Sequence, residues 1–192
     1  AFVQGDAVGY NGPRGDEAVT EDARAGDDFL GRTCVAWEAS AAPIAEMGPR
    51  VAWLRTGLVL APEGGVLQRM LLPYRLAAGG PFGDGRQYMP WIHRDDWIDV
   101  VRWLIAASDA TGPFNATAPE PVTNEEFSAT LGRALRRPHA LRAPAFVLRA
   151  VLGEMADVVL NGQRAVPRRA LSLGFRFRFQ SLEPALREML RR

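Results

Sequence analysis

Asp6 and Tyr10 lie one helical turn's length apart in the run Gly5-Asp-Ala-Val-Gly-Tyr-Asn-Gly12, directly after the apolar stretch Ala1-Phe-Val-Gln4. A turn that follows a buried strand is where α/β proteins hold their ligands. A carboxylate there serves as a base if burial raises its pKa, and a phenol passes protons when a cation lies beside it. Against this, aspartate often satisfies backbone donors in tight turns, and a tyrosine at such a place often only lines the pocket. His93 and Asp96 form a second pair, His-x-x-Asp. One histidine and one carboxylate fall short of the three or four protein ligands that zinc requires, so no metal site is expected. The reading is that Asp95 or Asp96 caps a helix and that His93 bonds to backbone or substrate. Arg86 follows a glycine-rich loop, where its planar fork fits a substrate phosphate or stands solvated. Arg55 sits inside an apolar run and must find a buried partner. Cys34 has no neighbouring histidine or lysine in sequence to generate a thiolate, and reads as a small core residue.

Two absences narrow the chemistry. All 23 basic residues are arginine, and the chain has no lysine. That excludes a Schiff base, a P-loop lysine and a Tyr-x-x-x-Lys pair. The spacing Gly-x-x-Gly-x-x-Gly occurs once, at Gly9, Gly12 and Gly15, in a turn-rich run with no helix directly after it, so it does not read as a phosphate-binding loop, and no Gly-x-Gly-x-x-Gly occurs. A net charge of +1 offers no groove for nucleic acid. The local cluster Arg133, Arg136, Arg137, His139 and Arg142 reads as a solvated helix end. The single cysteine allows no intrachain disulfide and fits a reducing compartment. No stretch approaches the roughly 20 apolar residues that span a bilayer, and residues 1–5 are not a signal peptide. The expectation is a cytoplasmic protein with a small-molecule substrate and neither membrane nor nucleic-acid partners.

These residues need elements to hold them. Residues 27–47 read as a helix whose apolar face is Phe29, Leu30, Cys34, Trp37 and Ala41, ended by Gly48-Pro49. Val51 to Leu60 is a near-continuous apolar run, the pattern of a parallel strand covered on both faces. A helix over 65–78, a loop over Gly79–Gly85 and a short strand within Gln87–His93 come next. The following helix runs to Ala107 and buries Trp97, Val100, Val101, Leu104 and Ile105. Gly112–Ala116 reads as a strand, and Thr123 with Glu126 forms a capping box for a helix to about Leu135. From Arg136, prolines punctuate short helical stretches, and Phe175-Arg-Phe-Arg-Phe179 alternates as a half-exposed strand does. All five tryptophans read as packing. The fold class is α/β with helices around a parallel sheet. Residues 1–120 form the sheet domain and 121–192 a substrate-side cap, with 141–190 as a small, mostly helical appended subdomain.

Several segments, taken in order, resemble one family. They are Ala7-Val-Gly-Tyr10 with Gly12, Trp37-Glu38, Arg55-Thr-Gly-Leu-Val-Leu60, Gly79-Gly-Pro-Phe-Gly-Asp-Gly85, Trp91-Ile-His93 with Asp96, Asn115-Ala-Thr-Ala-Pro119, Pro121-Val-Thr-Asn124 and Gly174-Phe175. The set is similar to the NAD(P)-dependent epimerase-like family of extended short-chain dehydrogenases that carries a small C-terminal extension. The resemblance implies a Rossmann-like doubly wound parallel sheet, NADP(H) as cofactor, and cofactor contact at Leu58 and Val59. It also implies that this chain is only the C-terminal portion of such a protein, without its phosphate-gripping half. On that reading the parent binds NADP(H) and the chain alone binds none. The superfamily's serine, tyrosine and lysine places fall on Asp6, Leu30 and Cys34, so the usual proton relay cannot form. Candidate site residues are therefore Asp6 and Tyr10 for proton handling, Leu58 and Val59 for cofactor, and Arg86 and His93 for substrate. The reading is an oxidoreductase or epimerase acting on a small carbonyl or nucleotide-sugar-like compound. The alternative is a non-catalytic cofactor-binding or interaction protein, and exposed sheet or helix faces invite a homo-oligomer.

Overall fold

The run Val51–Leu60 does not form one strand. In the computed structural model, which describes residues 1–191, β3 spans Val51–Thr56 and β4 spans Leu58–Leu60, with Gly57 between them. A Cβ at Gly57 would stand 2.0 Å from the Pro90 carbonyl oxygen, so only glycine lets the chain turn there. β3 is the middle strand of a parallel three-stranded sheet, between β1 (Phe2–Ala7) and β7 (Gly112–Ala116). β4 leaves that sheet to pair in parallel with β6 (Trp91–His93).

Helices cover both faces of the sheet. On one side lies α1 (Phe29–Ala39), capped by Asp28, whose carboxylate accepts from the Gly31 amide at 2.8 Å. The helix expected over 27–47 is two, since α2 (Ala42–Glu46) starts afresh with Pro43 in its first turn. On the other side α4 (Arg94–Ala106) packs Val100 and Leu104 against Ala52, Leu54 and Phe114. Ile105, expected in this core, is exposed.

A second core gathers Leu60, Trp91, Phe127 and Leu186. It joins α3 (Gly65–Arg75), α5 (Asn124–Leu135) and α9 (Leu182–Leu190). α5 carries the full capping box: the Glu126 amide donates to Thr123 Oγ1 at 3.2 Å and the Thr123 amide to Glu126 Oε2 at 2.8 Å. Between α5 and α9 come α6 (Ala145–Leu152), α7 (Ala156–Leu160) and α8 (Arg168–Ser172). Two short pairings complete the fold. β2 (Ala18–Val19) runs parallel to β9 (Arg164–Ala165), and β5 (Tyr88–Met89) antiparallel to β8 (Val122–Thr123).

Phe175–Phe179 is not a strand. Its alternation is nonetheless real: Phe175 and Phe177 are buried, whereas Arg176 and Arg178 are exposed. The backbone amides of Arg178 and Phe179 donate to the two carboxylate oxygens of Asp96, at 2.8 and 2.9 Å, instead of to a neighbouring strand. Of the tryptophans, Trp91 is fully buried, while Trp37 lies exposed on α1 with Phe29.

Candidate functional site

The parallel register sets Asp6 beside Arg55 and Arg55 beside Asn115, a row across β1, β3 and β7. Residues opposite one another in parallel strands point to the same face. All three side chains are buried, on the face that α1 covers. A polar row in a sheet interior is costly unless each member is paired, and the partners are specific. Arg55 donates from Nε to Glu38 Oε1 at 2.7 Å and from Nη2 to Glu38 Oε2 at 3.0 Å. Its Nη1 donates to the Glu21 carbonyl at 3.1 Å, and its guanidinium lies 3.4 Å from the centre of the Tyr10 ring. Asn115 donates from Nδ2 to the Val166 carbonyl at 3.0 Å. The buried Glu21 carboxylate accepts from the amides of Asn115 and Arg169 at 3.1 and 3.2 Å.

Asp6 is the exception. It is 5 % exposed, and neither carboxylate oxygen has a hydrogen-bond partner among the described residues. Burial pushes its pKa up to about 6, and the Glu38 carboxylate nearby adds to the rise. Cys34, one turn before Glu38 on α1, is also buried, and its Sγ approaches the Ala7 carbonyl at 3.7 Å. Burial first, then the Asp6 carboxyl, raises the Cys34 thiol to about 12, so it is no nucleophile at neutral pH.

Tyr10 is half-buried in a 3-10 turn over Val8–Asn11. Leu58 and Val59 are half-buried on β4, aligned with Trp91 and Ile92 of β6. They offer an apolar wall at a strand end, which suits a flat aromatic ring such as nicotinamide. The one Gly-x-x-Gly-x-x-Gly spacing, Gly9 to Gly15, leads into no helix, so no helix N-terminus follows it to take a pyrophosphate. Arg86 is exposed, with its amide donating to Asp84 Oδ1 at 3.0 Å. The structure thus sets Asp6 next to Arg55 in the strand register and Tyr10 over the Arg55 guanidinium, and joins Leu58 and Val59 to the β6 strand that ends in His93. Arg86 stands outside both groups.

His93 is 1 % exposed and does two structural jobs. Its Nδ1 accepts from the Asp95 amide at 3.0 Å, so His93, not Asp95 or Asp96, caps α4. A ring nitrogen that accepts carries no hydrogen, which places the proton of the neutral ring on Nε2. That nitrogen lies 3.2 Å from Glu188 Oε2 on α9, and the ring stacks on Phe179 at 4.0 Å.

Sequence reading missed Glu38 and Glu21 as members of the buried set. Arg55 in an apolar run was the available signal: it demanded a carboxylate, and Trp37-Glu38 on α1, earlier in the chain, supplied one.

Comparison with known proteins gives a consistent picture. Residues 143–189 match the family model described as "Domain of unknown function (DUF1731)". The epimerase family protein ML0860 of Mycobacterium leprae is 44% identical over 186 residues, 96% of this chain and 61% of the relative. The crystal structure of human epimerase family protein SDR39U1 (isoform 2) with NADPH superposes with a TM-score of 0.92 at 36% identity, covering 98% of this chain and 64% of that one. A nucleoside-diphosphate sugar epimerase from Corynebacterium glutamicum gives 0.76 at 35% identity, covering 97% of this chain and 37% of that one. Over nearly all its length the chain is thus similar to proteins described as epimerase family proteins, one of them crystallised with NADPH. The chain spans about three fifths of the length of the curated relatives it matches, and they align over nearly all of it.

Proposed function

We propose that this chain is the C-terminal, substrate-side portion of an NADP(H)-dependent oxidoreductase or epimerase-like protein. Its substrate class is a small carbonyl or nucleotide-sugar-like compound. The observation that carries this reading is the close superposition on a human protein crystallised with NADPH. Leu58 and Val59 would form the wall against the nicotinamide, and Arg86 would meet a substrate phosphate through its planar fork. The cofactor, when bound, takes up or returns hydride. On this reading Tyr10, stacked on the Arg55 guanidinium, meets substrate, and Asp6, buried beside Arg55 on β1, exchanges a proton near pH 6. The parent, comprising this chain with a cofactor-phosphate domain, should gain thermal stability with NADPH, and no shift at millimolar NADPH would overturn the reading. The 192-residue chain by itself should show little or no NADPH binding, since its one Gly-x-x-Gly-x-x-Gly run, Gly9 to Gly15, does not open a helix.

A second reading is favoured by one observation: the chain has no lysine, and Cys34, at the expected lysine place, is buried against Ala7. On this reading the protein binds cofactor without turnover. A parent that is stabilised by NADPH yet oxidises none across a panel of carbonyl compounds would support it.

A further inference from the structure

Glu21 is a buried carboxylate that the proposed chemistry leaves unused, and its bonds reach separate parts of the chain. It is 3% exposed and lies in the long connection between β1 and α1. Its Oε1 accepts from the Asn115 amide of β7 at 3.1 Å and from the Arg169 amide of α8 at 3.2 Å. β7 is an edge strand of the three-stranded sheet, and a buried edge amide needs an acceptor. A neutral loop oxygen would serve that amide alone. A carboxylate accepts strongly from both segments at once, and so fastens α8 to the sheet through the loop.

The same loop is paired elsewhere with the C-terminal segment 143–189, which carries β9 and α8. Val19 of β2 stands opposite Ala165 of β9, and the Val166 amide donates to the Val19 carbonyl at 3.0 Å.

At its other end the loop holds the turn that bears Tyr10. The Gly26 amide donates to the Tyr10 carbonyl at 2.8 Å, and Asn11 Nδ2 donates to the Ala23 and Arg24 carbonyls at 3.0 and 3.1 Å. A Cβ on Gly26 would stand 2.8 Å from the Gly12 Cα, so the loop closes backbone against backbone. The Glu21 carbonyl also accepts from Arg55 Nη1 at 3.1 Å, and that guanidinium lies 3.4 Å from the centre of the Tyr10 ring. One residue is thus bonded through its side chain to α8 and through its backbone to the cation on which Tyr10 rests.

We propose that Glu21 is a positioning residue for Tyr10, passing to it the placement of the C-terminal segment 143–189. The proposal rests on the reading that Tyr10 meets substrate, and it gives the C-terminal segment the task of holding that phenol in place. With the carboxylate present, the guanidinium has three fixed bonds, two to Glu38 and one to the Glu21 carbonyl. Without it, the Asn115 and Arg169 amides lose their acceptor and the loop shifts. The guanidinium then keeps only its Glu38 side, and the Tyr10 ring moves with it.

The test is fluorine NMR of the chain grown with 3-fluorotyrosine, which puts one probe on each of its three tyrosines, Tyr10, Tyr74 and Tyr88. Tyr10→Phe assigns the Tyr10 line by its loss. Glu21→Gln keeps the size and one acceptor oxygen but not the charge. It should shift the Tyr10 line by more than its width and leave the line of buried Tyr74 in place. Glu21→Asp keeps the charge on a side chain one methylene shorter, and should move the same line as the loop is drawn toward α8. Asp96→Asn alters another buried carboxylate that takes two backbone amides, those of Arg178 and Phe179, and should leave the Tyr10 line where it is. A Tyr10 line unmoved by both Glu21 variants overturns the proposal, as does a line moved equally by Asp96→Asn. The measurement needs no cofactor, so a parent that NADPH does not stabilise counts against the cofactor reading alone.

Discussion

Arg55 and Glu38 face each other as two forks, with both guanidinium-to-carboxylate bonds at 3.0 Å or less and the arginine side chain 3% exposed. This pair is the hinge between the sheet and α1. Glu38 also presents its backbone carbonyl to Trp53 Nε1 at 3.2 Å, so one helical residue is bonded twice to β3. Tyr10 closes the remaining side of the guanidinium.

Removing one partner should therefore be far worse than removing both. Arg55→Met leaves the Glu38 carboxylate half-buried without its cation, and Glu38→Leu leaves a buried guanidinium without its carboxylate. Breaking a buried pair costs about 3–5 kcal/mol, so Arg55→Met should lower the unfolding free energy by that order. The double variant Arg55→Met with Glu38→Leu should recover part of the loss, because two apolar groups need no partners. Urea titrations of the four proteins measure the coupling. Strict additivity would show that the pair does not act as a unit.

Asp6 carries a pH dependence of defined sign. Its pKa is raised from 3.8 to about 6 by burial and by Glu38, so the folded state holds this proton more tightly than the unfolded state. Its contribution to stability is present below about pH 4 and is lost as pH rises through about 6, amounting to about 3 kcal/mol from the gap between those two values. Asp6→Asn has no such proton. Its unfolding free energy should fall less than the parent's between pH 4 and pH 7, and parallel curves for the two proteins would show that Asp6 ionises freely.

Much of the fold was legible because it rests on local signals. The capping box at Thr123 and the strand at Gly112–Ala116 follow from residue type and spacing. The misreadings share a cause: each depended on contacts distant in sequence. Val51–Leu60 looks continuous until Pro90 is brought against Gly57. Phe29 and Trp37 fall at core spacing on α1, but no described residue buries them. Asp96 reads as a cap by its position, and only the arrival of Arg178 and Phe179 gives it another task. The site was legible in the same uneven way. Asp6, Tyr10 and Arg55 could be named singly, yet nothing in their spacing joined them; the strand register does that.

Cys34 should be inert in the folded protein. Its thiol is raised to about 12 and its side chain is buried between α1 and the end of β1. A disulfide reagent at pH 8 should label it only at the rate of opening, and denaturant should release full labelling. Fast stoichiometric labelling of the native chain would contradict this placement.

Asp96 ties the segment ending in Phe179 to α4, and its loss should be local before it is global. The carboxylate is fully buried and takes two backbone amides. Bonds to a charged acceptor contribute about 1.5–3 kcal/mol each, and Asp96→Ala leaves both donors unpaired in the interior. The same segment delivers Phe179 to the His93 ring, and His93 meets Glu188 on α9, so the disturbance should spread along that line. Hydrogen exchange should speed up at the amides of Arg178 and Phe179 first and at α9 next, with β1 and β3 unchanged under native conditions. Asp96→Asn, which keeps one acceptor oxygen, should protect one of the two amides. If both variants leave exchange at Arg178 and Phe179 untouched, the segment is held by the burial of Phe175 and Phe177 instead, and Asp96 is dispensable to it.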